Sequence, residues 1–388
     1  MVRKFLFWCH LLVGVVVGVI VFSLCLTGVL LSFERASLDW AERSAQAAAP
    51  AGQSDPLPVD ELAARVAQET HGQPRNFRYL NDASAPVRIQ MNGDKFITAN
   101  AYTGAVIGPS APGLRAFYHA MRTFHTALRF ENEAFPTGHF IVDACNLSFV
   151  FLTLSGLILW WPSKWNWKAL RAILVMRLSL RGKARDWNWH NALGFWGFLP
   201  LLIMAGTGIV LSYGAVDKTV RQFGRDHFAA QKNPPVHPAP AAAPGAKADW
   251  RKILATAEEA VPGWRSLTVP WGGNKPEVSI QITPGQEGEA IRSVGLTIDK
   301  ASAQLIKEQR WENQESGIRA RLIMRLSHSG ELGGLVGQTI AALGCLAGLL
   351  LVYTGFALTL RRFLSWRRRK KIAAEAATAG TEGRALEG

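Results

Sequence analysis

Acidic residues are scarce in this chain. It has 29 Asp and Glu against 43 Lys and Arg in 388 residues, a formal net charge of +14. Such an excess would suit a nucleic-acid partner, but its placement excludes that reading, because the bases are gathered into three short segments. Arg3 and Lys4 come first; then Lys164, Lys168, Arg171, Arg177, Arg181, Lys183 and Arg185, opposed only by Asp186; then Arg361, Arg362, Arg367, Arg368, Arg369, Lys370 and Lys371. Cysteine is scarce too. No Cys-x-x-Cys-His occurs, which excludes a covalently attached c-type haem. Cys9, Cys25, Cys145 and Cys345 all lie in apolar runs, where a small soft side chain is ordinary. A Walker loop, a Rossmann fingerprint, His-Glu-x-x-His and a nucleophile elbow are also missing, so soluble catalytic chemistry has no visible seat.

Apolar sequence is abundant, and it is concentrated. Hydrophobic residues make up 48% of the chain and cluster in four blocks, roughly 5–33, 139–161, 190–213 and 333–360, with Asp143 the one charge inside them. About 20 apolar residues cross a bilayer core, so four spans are expected. The first block is far longer than a signal-peptide core and reads as a retained helix. With four spans, the three basic segments fall on one side, as the positive-inside rule requires of the cytoplasm. Trp8, Trp160, Trp161, Trp165, Trp167, Trp187, Trp189 and Trp366 mark the same side as an interfacial belt.

This frame divides the chain into spans 1–33, 139–161, 190–213 and 333–360, a basic loop 162–189, a basic tail 361–388, and two far-side segments, 34–138 and 214–332. Each far-side segment reads as a small α+β module. The first has a Pro/Ala-rich linker at 45–58, a helix over Val59–Thr70, then strands Val87–Met91 and Lys95–Asn100 joined by an Asn92-Gly93 turn, with Ala101–Val106 closing the unit. The second follows the same plan: linker 233–248, helix Trp250–Glu259, and strands Glu277–Ile282, Ser293–Ile298 and Gln304–Glu308. Span, module, span occurs twice, which implies a duplicated half.

Two spans carry the same pattern. Trp8-Cys9-His10-Leu11-Leu12-Val13-Gly14 leads to Thr27-Gly28, and Trp189-His190-Asn191-Ala192-Leu193-Gly194 leads to Thr207-Gly208, the Thr lying seventeen positions after the His in both. An ionisable ring in a span is costly and usually faces a partner. Two at equivalent depth point to one shared partner, a haem iron between two imidazoles, which here would be b-type. Gly14 and Gly194, one turn on, share the His face; they either leave room for a porphyrin or let helices pack closely. The Thr/Ser-Gly pairs Thr27-Gly28, Ser155-Gly156, Thr207-Gly208 and Thr354-Gly355 read as packing elements whose hydroxyls bond their own helix. Glu34 and Glu331, at the far lip, read as solvated carboxylates.

The helix, the strands and the closing Asn100-x-x-Thr103-Gly104-x-Val106 resemble the PepSY module. The four spans, the His-x-x-x-Gly and Thr/Ser-Gly motifs and Asn188-Trp189-His190-Asn191 resemble the PepSY-associated transmembrane family over about residues 1–366. That family includes iron-regulated bacterial inner-membrane proteins such as FoxB-type ferric-siderophore reductases that carry haem. The resemblance implies a mainly α membrane protein with periplasmic modules, cytoplasmic termini, and a second ligand pair on the far side, His125 with His328 and His139 in reserve. His119, His71, His227 and His237 read as surface residues.

Two b haems per chain would carry electrons from a cytoplasmic or membrane donor, a flavin reductase or quinol, to the periplasm. There, a ferric siderophore would be reduced and Fe(II) released. The competing expectation is a non-redox protein whose PepSY modules bind peptides or regulate a protease. It leaves His10 and His190 without a purpose. A transporter would need a polar path that these spans lack.

Overall fold

The computed structural model describes residues 1–43, 55–93, 95–129, 136–162, 165–227, 248–273, 275–284 and 290–385. The two linkers expected at 45–58 and 233–248 lie largely outside the described residues, as does His237. In chain order the helices and strands are α1 (Val2–Leu31), α2 (Glu34–Arg43), α3 (Val59–Thr70), β1 (Pro74–Leu80), β2 (Val87–Met91), β3 (Phe96–Ala99), β4 (Val106–Pro109), α4 (Pro112–Ala127), α5 (Pro136–Trp160), α6 (Trp167–Leu174), α7 (Gly182–Ser212), α8 (Gly214–His227), α9 (Trp250–Ala260), β5 (Trp264–Pro270), β6 (Glu277–Pro284), β7 (Val294–Asp299), β8 (Leu305–Gln309), α10 (Ser316–Ser329) and α11 (Gly334–Ala385). They form two units. One comprises Met1–Leu30, Thr123–Ile209 and Ile340–Gly388, the other Leu31–Arg122 and Val210–Thr339.

The first unit holds four helices long and apolar enough to span a membrane, α1, α5, α7 and α11. Large apolar side chains such as Leu12, Val16, Val19, Leu147 and Leu199 are exposed on them, a surface suited to lipid rather than water. The hydrophobic effect cannot hold such helices together inside a bilayer, so close packing between small residues must. A Cβ on Gly348 would stand 2.6 Å from Cys25 Sγ, and one on Gly28 would stand 2.8 Å from Cys345 Sγ. Each thiol of the α1–α11 pair thus fills the other helix's glycine notch. Between α7 and α11, Gly344 takes Pro200 Cβ at 2.8 Å from its own missing Cβ. Between α5 and α7, Asn146 Nδ2 donates to Ala205 O at 3.0 Å.

Polar contacts tie the helix ends. Asp186 of α7 is fully buried and accepts from Arg185 (2.8 Å) and from Arg361 of α11 (3.0 Å). Arg3 of α1 donates to the terminal carbonyls of α5, Leu159 O and Trp161 O. Arg362 lies over the rings of Phe7 and Trp8.

The second unit differs from two separate modules. All eight strands join one antiparallel sheet in the order β4-β3-β2-β1-β5-β6-β7-β8, with β1 and β5 paired at its centre. These two strands escaped the reading of the sequence. Pro74-Arg75-Asn76-Phe77-Arg78-Tyr79-Leu80 looks too polar for a central strand until its faces are separated. Phe77 packs into the core, whereas Asn76 bonds Gln90 and Arg78 pairs with Asp39 at 3.3 Å on the other face. Alternation does the same in β6, where Val278, Ile280 and Ile282 are buried between exposed Glu277, Ser279 and Gln281. α3 and α9 cover the apolar face through Val59, Leu62 and Val66, and through Trp250, Ile253 and Ala257. Each fully buried aliphatic side chain there contributes about 1.5–3 kcal/mol.

The loops closing the two halves of the sheet match atom for atom. Asn100 Oδ1 accepts from Tyr102 N and Thr103 N; Asp299 Oδ1 accepts from Ala301 N and Ser302 N. These bonds, led by Ser302 N–H, hold the Asp299 carboxyl below its ordinary value of 3.8. Gly104 follows at φ +73°, and Ala303 takes the same left-handed place at φ +57°. α8 and α10 meet closely, since a Cβ on Gly224 would stand 2.8 Å from Ser316 O and one on Gly317 would stand 2.7 Å from Arg221 O. Asp217 ties them by accepting from Arg221 and Arg321.

Candidate functional site: hydroxyl-anchored histidines

α1 and α7 begin eight residues before His10 and His190, so both rings lie two turns inside their helices rather than at the start. Each ring is met by a hydroxyl from a neighbouring helix. His10 Nδ1 lies 2.8 Å from Ser155 Oγ of α5, and His190 Nδ1 lies 2.9 Å from Thr354 Oγ1 of α11. His125, in the last turn of α4, repeats the contact, with Nδ1 2.7 Å from Thr27 Oγ1 of α1.

The hydroxyls also bond their own helices. Thr354 Oγ1 donates to Leu350 O (2.7 Å), Thr27 Oγ1 to Ser23 O (2.9 Å) and Ser155 Oγ, more weakly, to Leu152 O (3.3 Å). A hydroxyl has one proton. A hydroxyl whose proton goes to its own helix accepts from the ring, and in that arrangement Nδ1 carries the hydrogen. Nε2 then keeps its lone pair. This is the tautomer a metal-ligating imidazole needs, with the other nitrogen held by a hydrogen bond.

The glycine after each hydroxyl completes the seat. A Cβ on Gly156 would lie 3.4 Å from His10 Cε1, one on Gly355 would lie 3.6 Å from His190 Cε1, and one on Gly28 would lie 4.0 Å from His125 Cε1. The Thr/Ser-Gly pairs therefore do more than pack helices, and the reading of them as packing elements alone is corrected. The signal was in the sequence, as four such pairs beside four histidines, but their pairing was not. Thr207 of the fourth pair is buried and donates to Ile203 O at 2.6 Å.

Gly14 and Gly194 behave unlike the packing glycines. A Cβ at either would meet only a Leu methyl, Leu152 Cδ2 or Leu351 Cδ2, both at the ordinary distance of 3.8 Å. The helix face beside each histidine is open rather than jammed.

The remaining candidates fall elsewhere. His328 lies in the last turn of α10, in the sheet unit, at the place His125 holds in α4. His139 is exposed in the first turn of α5, and His119 is exposed on α4. His71 ends α3 at φ +51°, and His227 stacks on Phe223 with ring centroids 4.1 Å apart. The lip carboxylates are paired rather than solvated: Glu34 with Arg122, and Glu331 with Arg35 at 3.3 Å.

The donor set fits a haem better than a bare ion. Among the described residues, no three His, Cys, Asp or Glu converge on one point. A bare ion wants three or more protein donors. Haem iron brings four nitrogens and asks for one or two. One further group awaits an acceptor. Trp160 Nε1, five residues beyond Ser155 on α5, is buried without a hydrogen-bond partner while its ring stacks on Phe195 of α7 at 4.6 Å.

Four apolar helices, two of them bearing a hydroxyl-anchored histidine, and an antiparallel sheet built from the segments between them define a membrane protein. The family model for the PepSY-associated TM region matches residues 7–362, and the chain belongs to that family. No curated protein matches the chain.

Proposed function

We propose that this protein carries electrons across the bacterial inner membrane through two b haems and delivers them to a ferric siderophore in the periplasm. The observation that supports it best is the shared seat of His10, His190 and His125, each with Nδ1 within hydrogen-bond distance of a Ser or Thr hydroxyl on a neighbouring helix. When bound, haem iron supplies a one-electron couple.

The chain's own residues would do the rest. His10 and His190 would ligate one haem. Ser155 and Thr354 hold these rings in orientation and raise their basicity. Gly14 and Gly194 leave the helix face clear, and the apolar helices exclude water. His125 would ligate the second haem with His328, which enters on the family resemblance alone, with His139 in reserve. By the positive-inside rule, the basic segments 162–189 and 361–371 support cytoplasmic termini, and the sheet would then be periplasmic. The repeated order of elements reads as a duplicated half. A siderophore's hard oxygen donors hold Fe(III) far more tightly than Fe(II), so one electron would release the metal. The donor would be a flavin reductase or quinol.

Protein purified from haem-replete cells should show low-spin bis-imidazole bands on dithionite reduction, with about two acid-extractable haems per chain. Folded, colourless protein would overturn this reading and favour a peptide-binding role for the sheet.

A further inference from the structure

We propose that the loop between α5 and α7 builds a binding site for the phosphate headgroup of an anionic phospholipid. A cleft of about 480 Å³ opens there, lined by Ala172, Arg177, Leu180, Lys183, Ala184 and Trp187, with Asn188 at its back. It is a built feature rather than a gap between mobile segments. Asn188 is buried, and its side chain donates to Ala172 O (2.8 Å) and Val175 O (3.0 Å) while accepting from Arg177 N (2.9 Å). Trp196 Nε1 holds the end of α6 through Leu174 O at 3.0 Å. One asparagine, part of the Asn188-Trp189-His190 motif, thus fixes the loop on α7 and sets the backbone of Arg177.

Three chemistries meet in the cleft. Arg177 and Lys183 are exposed cations, and Lys183 and Ala184 belong to the first turn of α7, where the helix dipole also favours an anion. Leu180, Ala172 and Ala184 supply an apolar floor for the glycerol backbone and the start of an acyl chain. Trp187 is exposed beside them, and Trp161, Trp165, Trp167 and Trp196 are exposed in the same stretch of sequence, the composition of a membrane–water boundary. A soluble anion would use the cations but not the floor. A zwitterionic lipid would use the floor but oppose the cations with its own ammonium. An anionic phospholipid satisfies both, and the exposed tryptophans of this segment suit a membrane–water boundary. This site involves neither histidine pair, so it stands or falls independently of the haem reading.

The test uses the full chain in nanodiscs of phosphatidylglycerol and phosphatidylcholine, with lipids retained after release counted by native mass spectrometry. The wild type should retain phosphatidylglycerol preferentially. The Arg177→Gln/Lys183→Gln double variant should lose that preference on the order of tenfold or more, because these are the two cations that line the cleft. Arg177→Lys/Lys183→Arg should keep it, as should Arg367→Gln/Arg368→Gln/Arg369→Gln, which removes charge from the tail alone. No preference in the wild type, or a preference that survives the double variant, would overturn the proposal. Equal thermal protection in detergent by inorganic phosphate or flavin mononucleotide would replace the lipid with a free phosphate compound.

Discussion

The two halves of the chain reach the same arrangement by different contacts. In the first half, α1 meets α5 through His10 and Ser155, and Arg3 closes the helix ends on backbone carbonyls. In the second, α7 meets α11 through His190 and Thr354, and a fully buried carboxylate, Asp186, closes the ends against Arg361. The imidazole–hydroxyl contact is the part that does not vary. The locks around it do, and they differ in kind. A guanidinium on exposed carbonyls can be replaced by water, whereas a buried carboxylate stripped of its partner cannot. What is common to both halves is the site; what differs is how rigidly each half holds it.

The most severe way to break this comparison is to remove the rings. His10→Ala and His190→Ala should each abolish the same haem, and His125→Ala and His328→Ala the other, read as one haem lost per variant by pyridine haemochrome. If His10→Ala and His190→Ala removed different haems, the shared-site reading would fail. Loss of the outer haem on His139→Ala, with His125→Ala silent, would move that ligand to α5.

The locks come next. Arg361→Ala leaves Asp186 buried with Arg185 as its remaining partner and should cost about 1.5–3 kcal/mol, the value of a hydrogen bond to a charged group. Arg3→Ala, exposed, should cost about 1 kcal/mol or less. Thermal unfolding in detergent would rank the two, and equal costs would show that the halves are locked alike.

A gentler change tests the shared element. Ser155→Ala and Thr354→Val delete the Nδ1 anchor without deleting the ligand. Either should weaken haem retention by about 10- to 100-fold, the usual effect of losing a ligand's supporting hydrogen bond. Both should act on the haem of His10 and His190 and spare the other. Thr27→Val should do the reverse.

The sheet offers a smaller contrast. Gly104 and Ala303 occupy the same left-handed position. Gly104→Ala adds the left-handed penalty of about 1–2 kcal/mol, and its Cβ would also stand 2.6 Å from Arg65 Cδ. Ala303→Gly removes that penalty and should stabilise by about 1 kcal/mol or less, because glycine also loosens the unfolded chain. Denaturation midpoints moving in the same direction for both variants would refute the equivalence of the loops.

The smallest effect separates Asn100 from Asp299. Folding lowers the Asp299 carboxyl below its ordinary value of 3.8, so its stabilisation is complete above that value and lost as pH falls through the folded one. Acid should therefore weaken the sheet through its second half. Asp299→Asn, which restores the residue type of the first half, should flatten the stability profile below about pH 4. An unchanged acid limb in that variant would assign the loss to other carboxylates.

Much of this protein is legible in one dimension. Four apolar runs announce four spans because a bilayer core demands about 20 apolar residues in succession, a local requirement. α3 runs over Val59–Thr70 as its spacing of apolar residues foretells, and the Asn92-Gly93 turn closes the β2–β3 hairpin with Gly93 at φ +78°. The repeated histidines are plain to see. Partner choice is not local. β1 pairs with β5 across some 190 residues, and β1 stays hidden in the sequence because Phe77 is its one fully buried apolar side chain among polar neighbours. His10 finds Ser155, His190 finds Thr354 and His125 finds Thr27 at separations of 145, 164 and 98 residues. A sequence states which residues carry lone pairs and protons; only the packed helices decide which hydroxyl faces which ring.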